Sequence, residues 1–184
     1  MNIYNISNLS DLSINEQFTQ IYDSYYSMVY RYFFYKSGNK QVSEDLTAET
    51  FIKAYTSLTR FDAKKAAIQT WLMTIARSIY IDNYRRYKNQ IYISCISDVS
   101  AEVLLDNLEK TVLTDDTYKT LYRAIGELTE KERNLIALKY SSELKNKDIA
   151  LLIGKSERHT AVLFGRALKK LKKILIKMGV DSYE

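Results

Sequence analysis

From Phe18 to Leu175 the apolar residues of this chain recur at intervals of three, four and seven, and none of its 184 residues is a proline. That spacing returns apolar side chains to one face of an α-helix, and without proline no backbone hydrogen bond inside a helix need be lost. Only five glycines are present. The pattern predicts an all-α fold.

Phe18, Ile21, Tyr22 and Tyr25 open a first helix that ends near Lys36, before Ser37-Gly38-Asn39. A second runs from Ser43 to Leu58, with Leu46, Phe51, Ala54, Tyr55 and Leu58 on one face. A third begins near Ala67, gathers Leu72, Ile75, Ala76 and Ile79, and continues to Arg86; Trp71 falls in their register and belongs to the core. Three such helices can close a small core. Beyond Asn89 the periodicity weakens: IYISCIS suits a short strand or an extended segment, and AEVLLDNLEK a short acidic helix. Helices resume at Thr117, with Leu121, Ile125 and Leu128 on one face, and Thr129-Glu130-Lys131-Glu132 has the form of a capping box. The expected organisation is a tail over 1–14, a helical unit over 15–90, a flexible acidic linker over 91–116 and a second helical unit over 117–184.

The net charge is +5, but its distribution matters more. Asp98, Glu102, Asp106, Glu109, Asp115 and Asp116 face only Lys110 in the middle, whereas Arg166, Lys169, Lys170, Lys172, Lys173 and Lys177 form an acid-free stretch near the end. A basic end beside an acidic middle suits a polyanion partner for the end and a separate task for the middle. The single Cys95 excludes an intrachain disulfide, and one histidine with one cysteine leaves little for a metal site. No run reaches the roughly 20 apolar residues that span a bilayer, so a cytoplasmic protein without membrane contact, cofactor or metal is expected. No nucleophile–base pair and no glycine-rich phosphate loop stands out, so no enzymatic chemistry is expected either.

The stretch KDIALLIGKSERHTAVLFGRALKK, Lys147 to Lys170, has the spacing of a helix-turn-helix. Ala150 supplies the small side chain that lets two steeply crossing helices touch, and Gly154 tolerates the positive φ of the turn. Ser156 is placed to cap the second helix, which in such motifs enters the DNA major groove.

Three blocks in this order resemble the extracytoplasmic-function (ECF) class of bacterial RNA polymerase sigma factors: SEDLTAETFIKAYTSLTRFD (Ser43 to Asp62), IQTWLMTIARSIYIDNYRR (Ile68 to Arg86) and IGELTEKERNLIALKYSSELKNKDIALLIGKS (Ile125 to Ser156). The resemblance implies core RNA polymerase (β and β′ subunits) and promoter DNA as partners, and leaves room for an anti-sigma factor. It implies that Asp45, Leu46, Glu49 and Phe51 dock on the polymerase; the i, i+4 spacing of Asp45 and Glu49 puts both carboxylates on one face. It implies that Arg60, Phe61, Lys64 and Lys65 meet an unpaired −10 base, where an aromatic among cations suits stacking and phosphate contact; Phe61 is equally suited to the core. Arg77, Ser78, Asn83, Arg85, Arg86 and Lys88 would lie along the −10 DNA, with Ser78 where the family commonly has Asn. In the recognition helix, Ala161 and Leu163 stand where a Lys and an Arg are usual, and Lys155 replaces an apolar turn residue. Base reading would then fall to Glu157, Arg158, His159 and Val162, with Arg166, Lys169 and Lys170 on phosphates and Ser156 also at the −35 DNA. The alternative is a stand-alone helix-turn-helix transcription regulator that binds duplex DNA without polymerase; a helical adaptor that binds only protein fits the basic last helix less well.

Overall fold

The computed structural model describes residues 13–86 and 115–180. They form seven α-helices: α1 (Ile14–Ser37), α2 (Lys40–Ser57), α3 (Ile68–Arg86), α4 (Asp115–Gly126), α5 (Glu130–Ser142), α6 (Asn146–Ile153) and α7 (Glu157–Lys177). A 3-10 turn, Leu58–Arg60, follows α2. Among the described residues there is no strand. Lys88, Cys95, IYISCIS and the acidic segment up to Thr114 lie outside the described residues.

The helix ends follow from local chemistry. Ser13 and Glu16 form a capping box on α1: Glu16 N–H donates to Ser13 Oγ (3.3 Å), and Ser13 N–H donates to a Glu16 carboxylate oxygen (2.9 Å). Gly38, at φ 62°, ends the same helix, its N–H donating to Phe34 O (2.8 Å). The capping box at Thr129 is present as expected, with Thr129 N–H donating to Glu132 Oε2 (2.9 Å) and Glu132 N–H to Thr129 Oγ1 (3.4 Å).

α5 ends differently, on Glu143 at φ 54°, the one non-glycine residue with positive φ among those described. Its Cβ crowds the following carbonyl there, a strain of roughly 1–2 kcal/mol that glycine avoids. Glu143 is exposed. Replacing it, Glu143→Gly, is expected to raise stability by about 0.5–1 kcal/mol in urea titration, after the entropy cost of the added glycine.

α1 is the centre of the molecule. Its run of Met28, Val29, Tyr30, Tyr32, Phe33 and Phe34 is buried on every side, which happens only when a helix has neighbours all round. Val29, Tyr32 and Phe33 join Leu46, Phe51 and Ala54 of α2 and Leu72, Met73 and Ala76 of α3 in one core. Leu135 and Leu138 of α5 and Ile149 of α6 complete that same core. Tyr30 and Phe34 point the other way, into a second core with Tyr122 and Ile125 of α4, Ile136 of α5 and Ala167, Leu171 and Ile174 of α7. The two helical units are present as expected, but neither closes its core alone. The first unit packs directly on the second, chiefly through α1 and α5. Trp71 is half-buried against the core, in line with its register.

Candidate nucleic-acid interface

α7 starts where Gly154, at φ 67°, turns the chain out of α6; Lys155 N–H donates back to Ala150 O (2.9 Å) and closes the turn. Ala150 is buried at the crossing, as its size requires. Ser156 Oγ accepts from His159 N–H (3.2 Å) and caps α7. The helix-turn-helix inferred from spacing is therefore built as expected. Thr160 is 1% exposed, and its hydroxyl donates to Ser156 O (3.0 Å), so burying it leaves no hydrogen bond unmade.

Glu157, Arg158, His159, Val162, Arg166 and Lys169 are exposed on α7, with Ser156 beside them. They give the helix a polar, cationic outer face whose first turns carry the base-reading types. Lys170 differs. Its ammonium is bound to Glu132 Oε2 at 2.8 Å across to α5, so it braces α7 and does not offer a free cation to a phosphate. Burial acts to raise the Glu132 carboxyl, but the bonds from Lys170 and Thr129 outweigh it and hold the pKa below the ordinary value.

α3 carries the second cationic face. Ser78, Arg85 and Arg86 are exposed, and Arg77 and Asn83 are half-buried. Arg85 and Arg86 occupy the last turn, where cations also complement the helix dipole. At the other end of α3, Arg60, Lys64 and Lys65 are exposed on the turn before it. Asp62 Oδ1 accepts from Lys64 N–H (2.9 Å) and shapes that turn. Phe61 is half-buried with its ring centroid 5.0 Å from that of Trp71. It packs on the core and shows only part of its ring. From Trp71 to Arg86 the helix rises about 22 Å, so cations sit at both ends of a face long enough to hold an extended strand.

On α2, Asp45 and Glu49 are exposed on one side of the helix. Leu46, at 3% exposure, is a core residue that fixes α2 against α1, and Phe51, at 2%, packs on α1 with one side of its ring lining a groove between the two helices. Most of the apolar contact surface comes from residues that the sequence did not place in docking. The groove, of about 680 Å³, runs between α1 and α2 and is lined by Phe18, Tyr22, Tyr26, Ala48, Phe51, Ile52 and Tyr55, with Glu44 and Asp45 beside them. Ile52 is 66% exposed, and Tyr55 is 44% exposed although its spacing placed it on the core face. The Tyr55 ring is held edge-on to Phe18 (4.9 Å), and its hydroxyl donates to Asn15 Oδ1 (2.9 Å). Ile52 lies off the face of Leu46, Phe51, Ala54 and Leu58; an apolar residue outside the apolar stripe was the available signal.

Among the described residues no group of His, Cys, Asp or Glu could hold a metal ion, and no helix is long and apolar enough to cross a membrane.

The family model for Sigma-70 region 2 matches residues 21–90, and that for Sigma-70 region 4 matches residues 118–171. The ECF RNA polymerase sigma factor SigW of Bacillus subtilis is 30% identical over 70% of this chain and 73% of its own length. SigM of the same organism is 28% identical over 89% of this chain and 97% of its own length. BldN of Streptomyces coelicolor is 28% identical over 87% of this chain, which spans 61% of BldN. Among solved structures, the sigma factor RpoE in complex with the anti-sigma factor NepR from Bartonella quintana shares the fold at a TM-score of 0.70, with 19% identity over 87% of this chain and 97% of that one. CnrH in complex with the cytosolic domain of CnrY aligns at 0.60, also with 19% identity, over 94% of this chain and 95% of that one. With region 2 spanning α1 to α3 and region 4 spanning α4 to α7, the chain belongs to the ECF class of RNA polymerase sigma factors.

Proposed function

We propose that this chain is an alternative sigma factor that docks on core RNA polymerase through the α1–α2 groove and directs initiation at promoters read by α3 and α7. The carrying observation is the groove: an exposed aromatic and aliphatic floor with carboxylates beside it, on the unit opposite the helix-turn-helix. Such a floor buries apolar area on docking while Asp45 and Glu49 select a cationic partner on the β and β′ subunits. Residues 15–90 would form the docking and −10 unit, 117–184 the −35 unit, and 91–116 the connection between them. Work in the cytoplasm on chromosomal DNA fits this reading.

On the −10 side, Arg60, Lys64, Lys65, Arg85 and Arg86 hold the phosphates, with Lys88 just beyond. Arg77, Ser78 and Asn83 line the strand's path, and the exposed part of Phe61 is offered to a base. On the −35 side, Arg158 suits guanine edges, Glu157 the cytosine amino group and Val162 a thymine methyl, with His159 and Ser156 beside them. Arg166 and Lys169 supply the phosphate contacts. The chain does no chemistry of its own: strand separation is driven by the binding of unpaired bases. Regulation by an anti-sigma factor is part of the proposal, since the two solved relatives are complexes with partner proteins, one of them an anti-sigma factor.

The test is promoter affinity with and without core polymerase, measured by fluorescence anisotropy. The proposal expects tight binding only with polymerase present. Arg85→Ala/Arg86→Ala is expected to weaken that binding and lower the slope of log K against log salt by about 1.5–2, since each lost phosphate contact removes nearly one released counterion. Tight specific binding by the chain alone would instead identify a stand-alone regulator.

A further inference from the structure

α7 is longer than base reading requires. Its 21 residues rise about 31 Å at 1.5 Å each, whereas the major groove is about 12 Å wide. The stretch from Arg158 to Arg166 already rises about 12 Å. From Lys169 to Lys177 the helix continues for about another 12 Å, a length that carries it past the bases and over the phosphate walls of the groove.

The two halves of α7 share one outer face. Arg158, Val162, Arg166, Lys169, Lys173 and Lys177 follow one another at steps of three and four residues, and all are exposed. Lys172, three residues after Lys169, is exposed beside them. Thr160, Ala167, Leu171 and Ile174 lie on the opposite side and are buried. Lys170 falls between the two sides and is taken by Glu132.

Nothing inside the protein accounts for the charge of the second half. Among the described residues no acid pairs with Lys169, Lys172, Lys173 or Lys177, and Glu157 is the one acid of α7. Lys169, Lys173 and Lys177 stand four apart, a spacing at which like charges destabilise a helix. The helix dipole favours cations only in the last turn, which holds Lys177 alone. Ile176, 52% exposed, is the one apolar side chain among these lysines. Such a surface suits a polyanion, because lysine is depleted where proteins bury apolar area against one another.

We propose that Lys172, Lys173 and Lys177 extend the DNA face of α7 beyond its base-reading turns and hold backbone phosphates that flank the −35 element. The inference rests on the reading of α7 as the −35 recognition helix. Continuity selects DNA as the occupant: the lysines prolong, without a change of face, the turns that meet the bases, so a duplex bound by the first half lies beside the second. Ala161 and Leu163 leave the reading turns short of cations, and the lysines further along restore that attraction. All three lie past residue 171, where the match to Sigma-70 region 4 ends. Their contacts raise affinity on any sequence and carry no base information.

The test uses the full chain with core polymerase on a promoter fragment that yields run-off transcripts, with affinity read by fluorescence anisotropy at 50 and 200 mM salt. Lys172→Gln/Lys173→Gln/Lys177→Gln is expected to lower the slope of log K against log salt by about 2.7, nearly one counterion per lysine. The fourfold rise in salt then weakens the parent about 40-fold more than the variant. Discrimination against a mismatched −35 base pair stays at the parent's level, whereas Arg158→Ala reduces it. The variant melts no lower than the parent, since it loses only repulsion between exposed charges. A second fragment carries uncharged methylphosphonates at the phosphates on either side of the −35 element, and it is expected to weaken the parent about tenfold more than the variant. An unchanged slope in the variant overturns the proposal. Equal weakening of parent and variant on the methylphosphonate fragment overturns it too, since the lysines then do not meet those phosphates. Loss of transcription by the variant with an unchanged slope would assign the face to an acidic protein in place of DNA. Absence of promoter binding by the parent with polymerase overturns the sigma reading, and the proposal with it.

Discussion

Replacing Arg133 by alanine is expected to cost about 3–5 kcal/mol of stability, the largest loss from any polar substitution in the described residues. Arg133 is 7% exposed, and its guanidinium is spread over three carbonyls: Nη2 donates to Gly126 O (2.8 Å) and Leu128 O (3.0 Å), and Nη1 to Lys36 O (3.4 Å). The first two belong to the turn from α4 to α5, where the carbonyls at the end of α4 have no intrahelical partner. Alanine leaves the Leu128 carbonyl buried and unpaired, at about 1–3 kcal/mol, and the Gly126 carbonyl part-buried at a lower cost. Lysine cannot replace the fork, because one ammonium does not reach carbonyls on both sides in a plane. Arg133→Lys should therefore recover less than half the loss. Thermal unfolding followed at 222 nm checks this, with a midpoint lower by about 10 °C for Arg133→Ala. A loss below about 1 kcal/mol would mean that water satisfies these carbonyls equally well.

Ile52→Asp is expected to weaken core-polymerase binding by about 30- to 100-fold without altering stability. The side chain is 66% exposed, so folding gains little from it. In the docked state it would lie at the centre of the groove floor between Ala48 and Tyr55, and central apolar anchors of an interface carry about 2 kcal/mol or more each. An aspartate adds a carboxylate to a groove that already holds Glu44 and Asp45, and this charge loses its water on docking. Leu46→Ala gives the contrasting result. Leu46 is buried in the core, so truncation costs about 2–5 kcal/mol of stability and affects polymerase binding only through the folded fraction. Titrating both variants against labelled polymerase, with melting curves alongside, separates a contact residue from a supporting one. Equal polymerase affinity for Ile52→Asp and the parent chain would remove the groove from the docking surface.

Much of this structure is legible in the sequence where the cause is local. The Thr129 capping box, the Gly154 turn, the small Ala150 and the Ser156 cap each depend on residues within four positions of one another, and each is present. The helices emerge from apolar spacing to within a few residues. What the sequence does not show depends on partners distant in the chain. The apolar stripe already sets Leu46 and Phe51 toward the core and Ile52 off it, but only the position of α1 leaves Tyr55, on that same stripe, at the surface. Lys170 sits on the basic stripe of α7, yet Glu132, 38 residues earlier, takes its ammonium. The seam between the units left one trace in the sequence: from Met28 to Phe34 every residue but Arg31 is large and apolar or aromatic, too many for a helix with a single buried face.

The most direct test of the central claim is run-off transcription with purified core polymerase on promoter fragments carrying paired −35 and −10 elements. The account predicts defined transcripts only when this chain and core polymerase are both present, and their loss with Arg85→Ala/Arg86→Ala and with Arg158→Ala. Unchanged transcription when this chain is added, together with tight operator binding by the chain alone, would contradict it.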